Sequence, residues 1–520
     1  MRRFVVTIVV LGIALVMACR LLLPDGLVVK GPVLNSITGR SIEAPKPEVV
    51  EHRFSVAPGF RVELFAEGVQ NARMLRFSPG GSLVVSQPRL GRLLKLSGDG
   101  DGDGRSDGRQ VLLESLDRPH GFDFADGFLY VAEGGAIARV AVTESGPDTL
   151  RASGVPIRIV EGIPEGQNHW TRTLRIGPDG LIYLTVGSSC NVCLEKDPRR
   201  AAMIRYAIDG SGEEIYASGL RNSVGFDWRP GTRELYATDN GRDLLGDDVP
   251  PCELNRIERG GFYGWPYAHG MNQVDPDFGE GQPARIAGSI PPVHAFGAHQ
   301  APLGITFLRH SESASEAAAA QHDTALVALH GSWNRSQLSG YKVVALHWNA
   351  DGTVSQSDFL TGFQVGDDVI GRPVDVAEGP DGAIYVSDDY AAAIYRITRS
   401  DSSQAPASLA IGGPTPRAVD DPLAEYTGEA RTALVARGAE LFAARACAGC
   451  HVEGRAEPGV IVKPLENLAA RHTLQSLAAF LLTPQPPMPV VDLPEADRLA
   501  LAAYLFTREA AEEVAEEAGR

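Results

Sequence analysis

The sequence predicts a mainly β protein: a six-bladed β-propeller followed by a small all-α domain. Between residues 54 and 397, a pattern of two apolar runs around a turn rich in Pro, Asp and Gly recurs six times. Repeats of a few strands each are typical of blades arranged around an axis. After Asp421 the composition changes to Ala, Leu, Arg and Glu with helical spacing, which predicts helices.

Each repeat is expected to form a β-hairpin. A Pro-Asp-Gly sequence between two β-rich runs favours a tight turn, because Pro fixes its own φ angle and Gly adopts a positive φ angle easily. We therefore assign residues 45–398 to the propeller. The copies, of which the fifth is degraded, span residues 75–85, 121–131, 174–184, 225–236, 304–329 and 374–386.

The first residues have the pattern of an export signal. Two arginines precede an almost unbroken apolar run over residues 4–17, and a charged start with a short apolar core is typical of export. Three fates stay open for residues 1–23: a lipid on Cys19, cleavage after Ala18, or an uncleaved anchor of the ~20 residues that span a bilayer. We expect a periplasmic protein that this segment, or a lipid on Cys19, attaches to the membrane.

The length and charge of the chain restrict its class. A chain of 520 residues has room for more than one hydrophobic core. The formal net charge of −17 argues against a nucleic-acid partner, because phosphate binding needs clustered Lys and Arg. The acidic tail, residues 511–520, is expected to be a solvated helix end.

Three of the six cysteines lie in the predicted propeller. In an oxidising compartment one disulfide is expected among Cys190, Cys193 and Cys252, most simply Cys190–Cys193. Leu194 follows this pair, so the pair is not a haem-attachment motif.

A second cysteine pair has the spacing of a c-type haem site. In Cys447-Ala-Gly-Cys450-His451, two thiols capture the haem vinyl groups and the following His binds the iron. The alternatives are a redox CxxC or half of a zinc site, but an adjacent His is a poor third zinc ligand. Met488, in a Pro-rich turn, is the predicted sixth ligand, and His472 is the other candidate.

The haem motif predicts a cytochrome c domain at residues 425–510. A linker rich in Ser, Gly and Pro joins it to the propeller over residues 399–424. Helices are expected over residues 433–442, 474–482 and 494–505. A chain with this domain carries electrons.

An acidic loop is a candidate calcium site. Asp99, Asp101, Asp103 and Asp107 alternate with Gly and Ser in the manner of the first part of a calcium-binding loop. Gln110 replaces the usual bidentate Glu at the twelfth position. A solvated acidic turn is the alternative.

Polar residues at predicted strand ends are the candidates for a site in the propeller mouth, where loops from several blades converge. One imidazole and several guanidinium groups fall at equivalent ends of separate blades, and planar guanidinium groups bind a polycarboxylate bidentately. The residues are His169, Arg221, Asn222, Arg335 and Arg372.

Several motifs resemble the soluble sugar dehydrogenases that depend on pyrroloquinoline quinone (PQQ), above all the sorbosone and aldose branch. They are His169-Trp-Thr-Arg, Ser-Gly-Leu-Arg-Asn at 218–222, Gly-Gly-Phe-Tyr-Gly-Trp-Pro at 260–266 and Arg-Pro-Val-Asp-Val at 372–376. The resemblance extends over nearly the whole propeller. It implies a six-bladed fold, oxidation of a sugar, and PQQ and calcium as cofactors.

Position by position, the resemblance also implies residue roles. His169 matches the general base that takes the proton of the substrate hydroxyl, and Arg221 matches a residue near the reacting carbonyls of the quinone. The backbone carbonyls of Gly241 and Arg242 match the calcium ligands. Residues that match cofactor or substrate contacts are Arg221, Asn222, Arg335, Arg372, His120 and Asn240.

Two departures from the family pattern stand out. Ser188 replaces the Asp that accompanies the base, so another group must orient His169. Val374 replaces a second Arg that binds the carboxylates of PQQ, which predicts a weaker hold on the cofactor.

Together these observations predict a quinohaemoprotein dehydrogenase. It would pass electrons from a sugar through PQQ to its own haem, and on to a respiratory acceptor, a cytochrome or the quinone pool. One alternative is a calcium-dependent, lactonase-like hydrolase, which needs carboxylates around one axial metal; the sequence offers only Asn222 and Asp239. The other is a non-catalytic propeller that binds a partner and presents a cytochrome c.

Overall fold

The computed structural model of the protein divides into two compact units, Met1–Gln404 and Ala405–Arg520. The described residues are 32, 41–166, 168–309, 324–349, 351–400, 423, 426–445, 447–451, 465, 468, 474–481 and 493–518.

The first unit is a six-bladed β-propeller, as the repeats predict. Each blade has four strands in antiparallel succession. The strands are Leu75–Phe77, Leu83–Gln87, Arg92–Leu96 and Arg109–Leu113 in blade 1; Phe122–Ala125, Phe128–Ala132, Ala136–Thr143 and Arg151–Glu161 in blade 2; and Arg172–Ile176, Ile182–Val186, Ala202–Tyr206 and Glu214–Ser218 in blade 3.

Blade 6 closes the ring, because its fourth strand comes from the other end of the propeller sequence: Phe60–Ala66 pairs antiparallel with Ala393–Arg399. Closure of this kind removes the exposed edge between the first and last blades. The remaining strands are Ser223–Trp228, Leu235–Asp239, Pro251–Ile257 and His294–Ala298 in blade 4; Pro302–Phe307, Thr324–Leu329, Lys342–Trp348 and Val354–Thr361 in blade 5; and Pro373–Glu378 and Ile384–Asp388 in blade 6.

Short elements decorate the ring. Gly261–Phe262 adds a parallel strand to blade 3, and Ser55–Val56 adds an antiparallel strand to blade 5. The others are the hairpins Ala268–His269 with Gln273–Val274 and Gln364–Val365 with Asp368–Val369, the helices Pro47–Arg53 and Pro283–Ala287, and the 3-10 turn Pro88–Leu90.

The predicted turns form the innermost hairpins. In blade 3, Asp179 Oδ1 accepts a hydrogen bond from the Leu181 backbone N–H at 3.2 Å, and Gly180 has φ +75°. In blade 6, Asp381 Oδ1 accepts from the Ala383 N–H at 3.1 Å. The side chain and the glycine therefore fix these turns locally, as Pro-Asp-Gly predicts.

Carboxylates on first strands join alternate blades to the next blade; two of them are buried and Asp123 is half-buried. Each carboxylate accepts a backbone N–H of the following first strand and has an Arg partner, which offsets the cost of burying the charge. The carboxylate–amide pairs are Asp123–Ile176, Asp227–Phe307 and Asp375–Leu75, and the guanidinium partners are Arg175, Arg309 and Arg76.

The second unit is helical over its described residues. Its helices are Gly428–Ala444, Ala448–His451, Leu474–Phe480 and Glu495–Ala518. The first and last of these cross closely, since a Cβ at Gly438 would overlap the backbone oxygen of Ala500. Each of the three predicted helical stretches corresponds to one of these helices over its described residues, apart from single residues at the ends, and the last helix continues without a break into the acidic tail.

Among the described residues, no helix has both the length and the hydropathy that a membrane crossing requires. The predicted export segment, residues 1–23, lies outside the described residues.

Candidate active site

A cavity of about 340 Å³ opens at the end of the propeller where first strands begin and second strands end. In antiparallel blades these two positions lie at the same edge, so residues from all around the ring can meet there. The residues that line the cavity include Asn71, Arg73, Arg89, His169, Trp170, Asn222, Val224, Leu303, His330, Arg372, Asp389 and Tyr390.

The predicted base His169 lies in this cavity, on the segment that enters blade 3. Its Nδ1 is 3.0 Å from the Ser188 carbonyl oxygen and 2.9 Å from the Ser188 hydroxyl. A carbonyl oxygen only accepts, so Nδ1 carries the proton and Nε2 keeps its lone pair. Ser188, which replaces the expected Asp, thus orients His169 with its backbone and its hydroxyl.

His169 is held in its neutral form. Burial, and then the positive charge of Arg221, lower the pKa of His169 to about 3. An imidazole with this pKa is unprotonated at neutral pH, as a proton acceptor must be.

Asn222 also lines the cavity, beside His169. Its backbone N–H donates to Asp239 Oδ1 at 2.6 Å. Its side-chain Oδ1 is buried and has no hydrogen-bond partner in the described part of the chain. A buried acceptor without a donor indicates a ligand group that donates to it.

Arg221 does not line the cavity. All five of its guanidinium N–H groups are used: Nε by the Asn191 carbonyl, Nη1 by the carbonyls of Asn240 and Gly241 at 3.0 and 2.8 Å, and Nη2 by Asn191 Oδ1 and Asp243 Oδ2. Arg221 is buried and bound to the loop after the second strand of blade 4, and its contact with the quinone stays a prediction.

Arg372 lies in the cavity, as predicted. Its Nε donates to the His330 carbonyl at 3.1 Å and its Nη2 to the Gly331 carbonyl at 3.0 Å. Val374, in place of a second Arg, packs with Val224 and Leu303 in a small apolar cluster. The cavity thus has an apolar base where the resemblance implied a further charge.

Arg335 is outside the cavity lining, and its contact with PQQ stays a prediction. Its guanidinium pairs with Asp248 Oδ1 at 3.1 Å and binds the backbone carbonyl of Asp247. It ties down the loop before the third strand of blade 4.

Two other predicted contacts lie just beneath the cavity. His120 is fully buried and packs edge-on against Trp170, with ring centroids 5.5 Å apart. Asn240 donates from Nδ2 to the carbonyls of Asn222 and Pro302 at 3.1 and 3.2 Å. Neither residue lines the cavity, so both are in positions to support the lining residues.

The sequence interpretation missed Arg73, His330 and Asp389. Arg73 precedes the first strand of blade 1, and the other two follow the second strands of blades 5 and 6. All three residues lie at strand ends, as the predicted site residues do, so their position next to a predicted strand could have indicated them.

The predicted calcium ligands differ in their surroundings. The Gly241 carbonyl already accepts the Arg221 guanidinium, and a fixed positive charge there does not fit a calcium ion. The carboxylates of Asp99, Asp101 and Asp103 lie within 4.8 Å of one another. Arg396, from the last strand of the propeller sequence, pairs with Asp99 of that loop at 3.0 Å, and Asp107 accepts the Gly100 N–H. Asp99 and Asp107 therefore already have partners within the protein.

The cysteines follow the prediction as far as they are described. Cys190 and Cys193 form a disulfide, and Cys252 is a buried thiol. At the haem motif, one helical turn brings the His451 N–H to the Cys447 carbonyl at 3.1 Å. The side chain of Cys450, and Met488 and His472, lie outside the described residues.

A family model for glucose/sorbosone dehydrogenases matches residues 129–396, more than half of the chain. The chain belongs to the glucose/sorbosone dehydrogenase family. The match begins in blade 2 and ends in blade 6, so the cavity residues from His169 to Asp389 lie within it. Arg73 lies before it.

Two individual relatives are similar to about two thirds of the chain. A protein of Borreliella burgdorferi is 30% identical over 367 residues, which cover 67% of this chain and 92% of that protein. The pyrroloquinoline quinone-dependent pyranose dehydrogenase of Coprinopsis cinerea is 26% identical over 430 residues, 68% of this chain; this chain spans only 56% of that enzyme.

Solved structures share the propeller fold. The calcium structure of a Trichoderma reesei carbohydrate-active enzyme of family AA12 has a TM-score of 0.58 at 20% identity, covering 68% of this chain and 98% of that one. The holo form of the pyranose dehydrogenase PQQ domain from Coprinopsis cinerea has a TM-score of 0.56 at 22% identity, covering 72% and 100%.

Proposed function

We propose that the protein is a quinohaemoprotein dehydrogenase that oxidises an aldose or a sorbosone-like sugar with PQQ and passes the electrons to its own c-type haem. The observation that carries this proposal is the cavity, where an imidazole with an unprotonated Nε2 lies together with the guanidinium groups of Arg73 and Arg372. Family membership and the PQQ-dependent relative from Coprinopsis cinerea support it.

The cavity residues fit PQQ, which has three carboxylates on a planar ring system. Arg73, Arg89 and Arg372 supply positive charge, and Asn222 Oδ1 supplies a buried acceptor that lacks a donor. The volume lies in the range of ~300–1,000 Å³ that small-molecule sites occupy. Bound PQQ would supply the acceptor for a hydride from the sugar.

His169 would take the hydroxyl proton on Nε2. Ser188 keeps the other ring nitrogen protonated, so His169 is held in the tautomer whose Nε2 can accept a proton. Asn222, beside it, would hold the substrate or cofactor. No step of the proposed reaction uses calcium, because the Arg221 guanidinium already binds the Gly241 carbonyl.

The haem would be attached through Cys447 and Cys450, and His451 and Met488 would bind its iron. A two-electron acceptor in one unit and a one-electron carrier in the next would form a relay to a respiratory cytochrome or the quinone pool. The chain would be exported to the periplasm and held at the membrane by residues 1–23 or by a lipid on Cys19.

The test is reduction of the haem by sugar. Full-length protein, matured with haem and loaded with PQQ, is mixed with a panel of aldoses, sorbosone and polyols while the absorbance of the haem is followed. We expect reduction by at least one sugar, only with PQQ present, and its loss in His169→Gln. The matched control is His294→Gln, since His294 lies on an outer strand and bonds only to Gln356 among the described residues.

Two results would contradict the proposal. Sugar oxidation without PQQ would show that PQQ is not the cofactor. PQQ-dependent oxidation that leaves the haem oxidised would show that electrons do not pass from PQQ to the haem. A hydrolase has no supporting observation here: among the described residues, the acidic groups clustered closely enough for a metal are Asp99, Asp101 and Asp103, and none of them lines the cavity.

A further inference from the structure

A second imidazole faces the cavity, and unlike His169 it has a carboxylate partner. His330 Nε2 lies 2.9 Å from Asp389 Oδ1. His330 follows the second strand of blade 5 and Asp389 that of blade 6. In a ring of six blades, the junction of blades 5 and 6 lies across the axis from the junction of blades 2 and 3, where His169 enters.

Positive charge surrounds this pair. Arg73 Nη1 donates to Asp389 Oδ2 at 2.9 Å, and Arg73 Nε is buried without a hydrogen-bond partner among the described residues. Arg372 contacts the His330 carbonyl from the start of blade 6. Asp389, Arg372 and Arg73 are thus the charged groups that act on the His330 ring, and Tyr390 and His169 line the same cavity.

The free cavity keeps His330 neutral. Burial, and then the charge of Arg372, lower the pKa of His330 to about 4, although Asp389 opposes this change. Burial alone would raise the pKa of Asp389, but the interaction with the His330 imidazole, which includes a hydrogen bond from Nε2–H, and the charge of Arg73 hold it far below its usual range. Asp389 is therefore ionised and accepts the Nε2–H of His330.

The protonation state of His330 determines which ligand groups this side chain can bind. With the proton on Nε2, which faces Asp389, Nδ1 has only a lone pair. A carboxylate oxygen also only accepts, so a neutral His330 repels it. A contact between the two needs one extra proton on Nδ1, and the resulting imidazolium would be stabilised by Asp389 on its other side.

We propose that His330, Arg73 and Arg372 form a carboxylate subsite of the cavity that takes up a proton from solvent when its ligand binds. The carboxylate is that of PQQ if the proposed function holds, and the subsite itself requires only a planar polycarboxylate. His330 is then a binding residue whose affinity for the ligand depends on pH, and His169 remains the acceptor for the substrate proton.

The test counts protons during binding to the haem-containing full-length protein without PQQ. PQQ is titrated calorimetrically at pH 6 and pH 7 in buffers with different ionisation enthalpies. For the wild type we expect an uptake approaching one proton per PQQ, and an affinity that rises by up to about tenfold per pH unit as the pH falls. For His330→Gln we expect no uptake and a flat affinity, because a carboxamide donates without titrating.

Two further variants separate a direct role from a structural one. Asp389→Asn should bind with less proton uptake, since the imidazolium loses its counter-charge. His294→Gln should match the wild type. Melting temperatures of the ligand-free variants check that each one is folded.

A second ligand separates this inference from the proposed function. Benzene-1,3,5-tricarboxylate, a planar polycarboxylate, is titrated in the same way. Proton-linked binding of this probe with no binding of PQQ would keep the subsite and remove the PQQ proposal. PQQ binding without proton uptake, uptake that persists in His330→Gln, or no binding of either ligand would overturn the inference.

Discussion

Gly187 lies so close to His169 that no side chain fits at position 187. A Cβ there would be 2.6 Å from the His169 Cβ and 2.7 Å from Asn222 Oδ1. The missing side chain lets an imidazole from the segment before blade 3 and an amide from the start of blade 4 lie side by side. Gly187, at the end of a second strand, thereby sets the geometry of the cavity wall.

We therefore expect Gly187→Ala to displace His169 or Asn222. A misplacement of this size costs on the order of 10²-fold in rate, so kcat/KM for sugar oxidation by the PQQ-loaded protein should fall by about that factor. Gly108→Ala is the matched control, because the nearest atom to a Cβ there is Ser97 Oγ at 3.8 Å. Unchanged kcat/KM in Gly187→Ala would show that the contact does not position these groups.

His169 should not titrate in the physiological range. Burial and the charge of Arg221 lower its pKa to about 3, against ~6.5 for histidine in an unfolded chain. The lone pair on Nε2 is therefore present above pH 3 and lost only as the pH falls through that value. Histidine-labelled, PQQ-free protein should show a constant His169 resonance from pH 8 to pH 5.

The assignment of that resonance comes from its absence in His169→Gln, and chain unfolded in urea supplies the titrating reference. A midpoint near pH 6 for the His169 resonance would contradict the burial of this ring. Ser188→Ala keeps the carbonyl acceptor for Nδ1–H, so we expect the resonance to stay constant in that variant too.

The propeller could be predicted from the sequence because its signals are local. Asp179 and Asp381 bind amides two residues further on, and the neighbouring glycines adopt positive φ. Each hairpin is thus encoded within a few residues. The N-terminal strand Phe60–Ala66 of blade 6 was not predicted as such, because its partner Ala393–Arg399 lies at the far end of the propeller sequence.

The site was predicted only in part, because some of its contacts join residues that are far apart in the sequence. His169, Asn222 and Arg372, which the motifs indicated, line the cavity. The pairing of His330 with Asp389 joins two blades across 59 positions of sequence, and nothing local indicates it. Arg221 was assigned to the cofactor because its motif was recognised, but its actual partners depend on how the loop after Asp239 folds back.

We expect the main effect of replacing Arg221 to be a loss of folding stability, which is measurable without substrate or cofactor. Arg221→Met would leave Asp243 and the carbonyls of Asn240 and Gly241 without their buried donor. Removal of one partner from a buried ion pair costs ~3–5 kcal/mol. We expect the ligand-free protein to lose about that much free energy of unfolding in urea.

The matched control is Arg256→Met. Arg256 pairs with Glu234 and Glu258, but its side chain is 47% exposed, and exposed pairs contribute only ~0–1 kcal/mol. If Arg221→Met instead kept wild-type stability and lost only PQQ affinity, Arg221 would be a cofactor ligand after all.

A pair of buried carboxyl groups should make the propeller less stable as the pH rises. Asp239 and Glu253 lie directly opposite each other on neighbouring strands of blade 4. Burial, and then the charge of Glu253, raise the pKa of Asp239 to about 8, and burial raises that of Glu253 to about 7. The unfolded values are ~4, so above pH 4 the folded protein holds more protons than the unfolded chain.

The free energy of unfolding should therefore fall as the pH rises from 6 to 8.5, by up to ~1.4 kcal/mol per pH unit for each proton of difference. Glu253→Gln should reduce this slope, measured by urea unfolding at each pH. The substitution is well accommodated: Asn255 Oδ1 is buried without a partner among the described residues, so the Asn255 amide can turn to accept the new N–H. A slope in Glu253→Gln equal to that of the wild type would mean that the carboxyl at position 253 is already ionised in the folded protein.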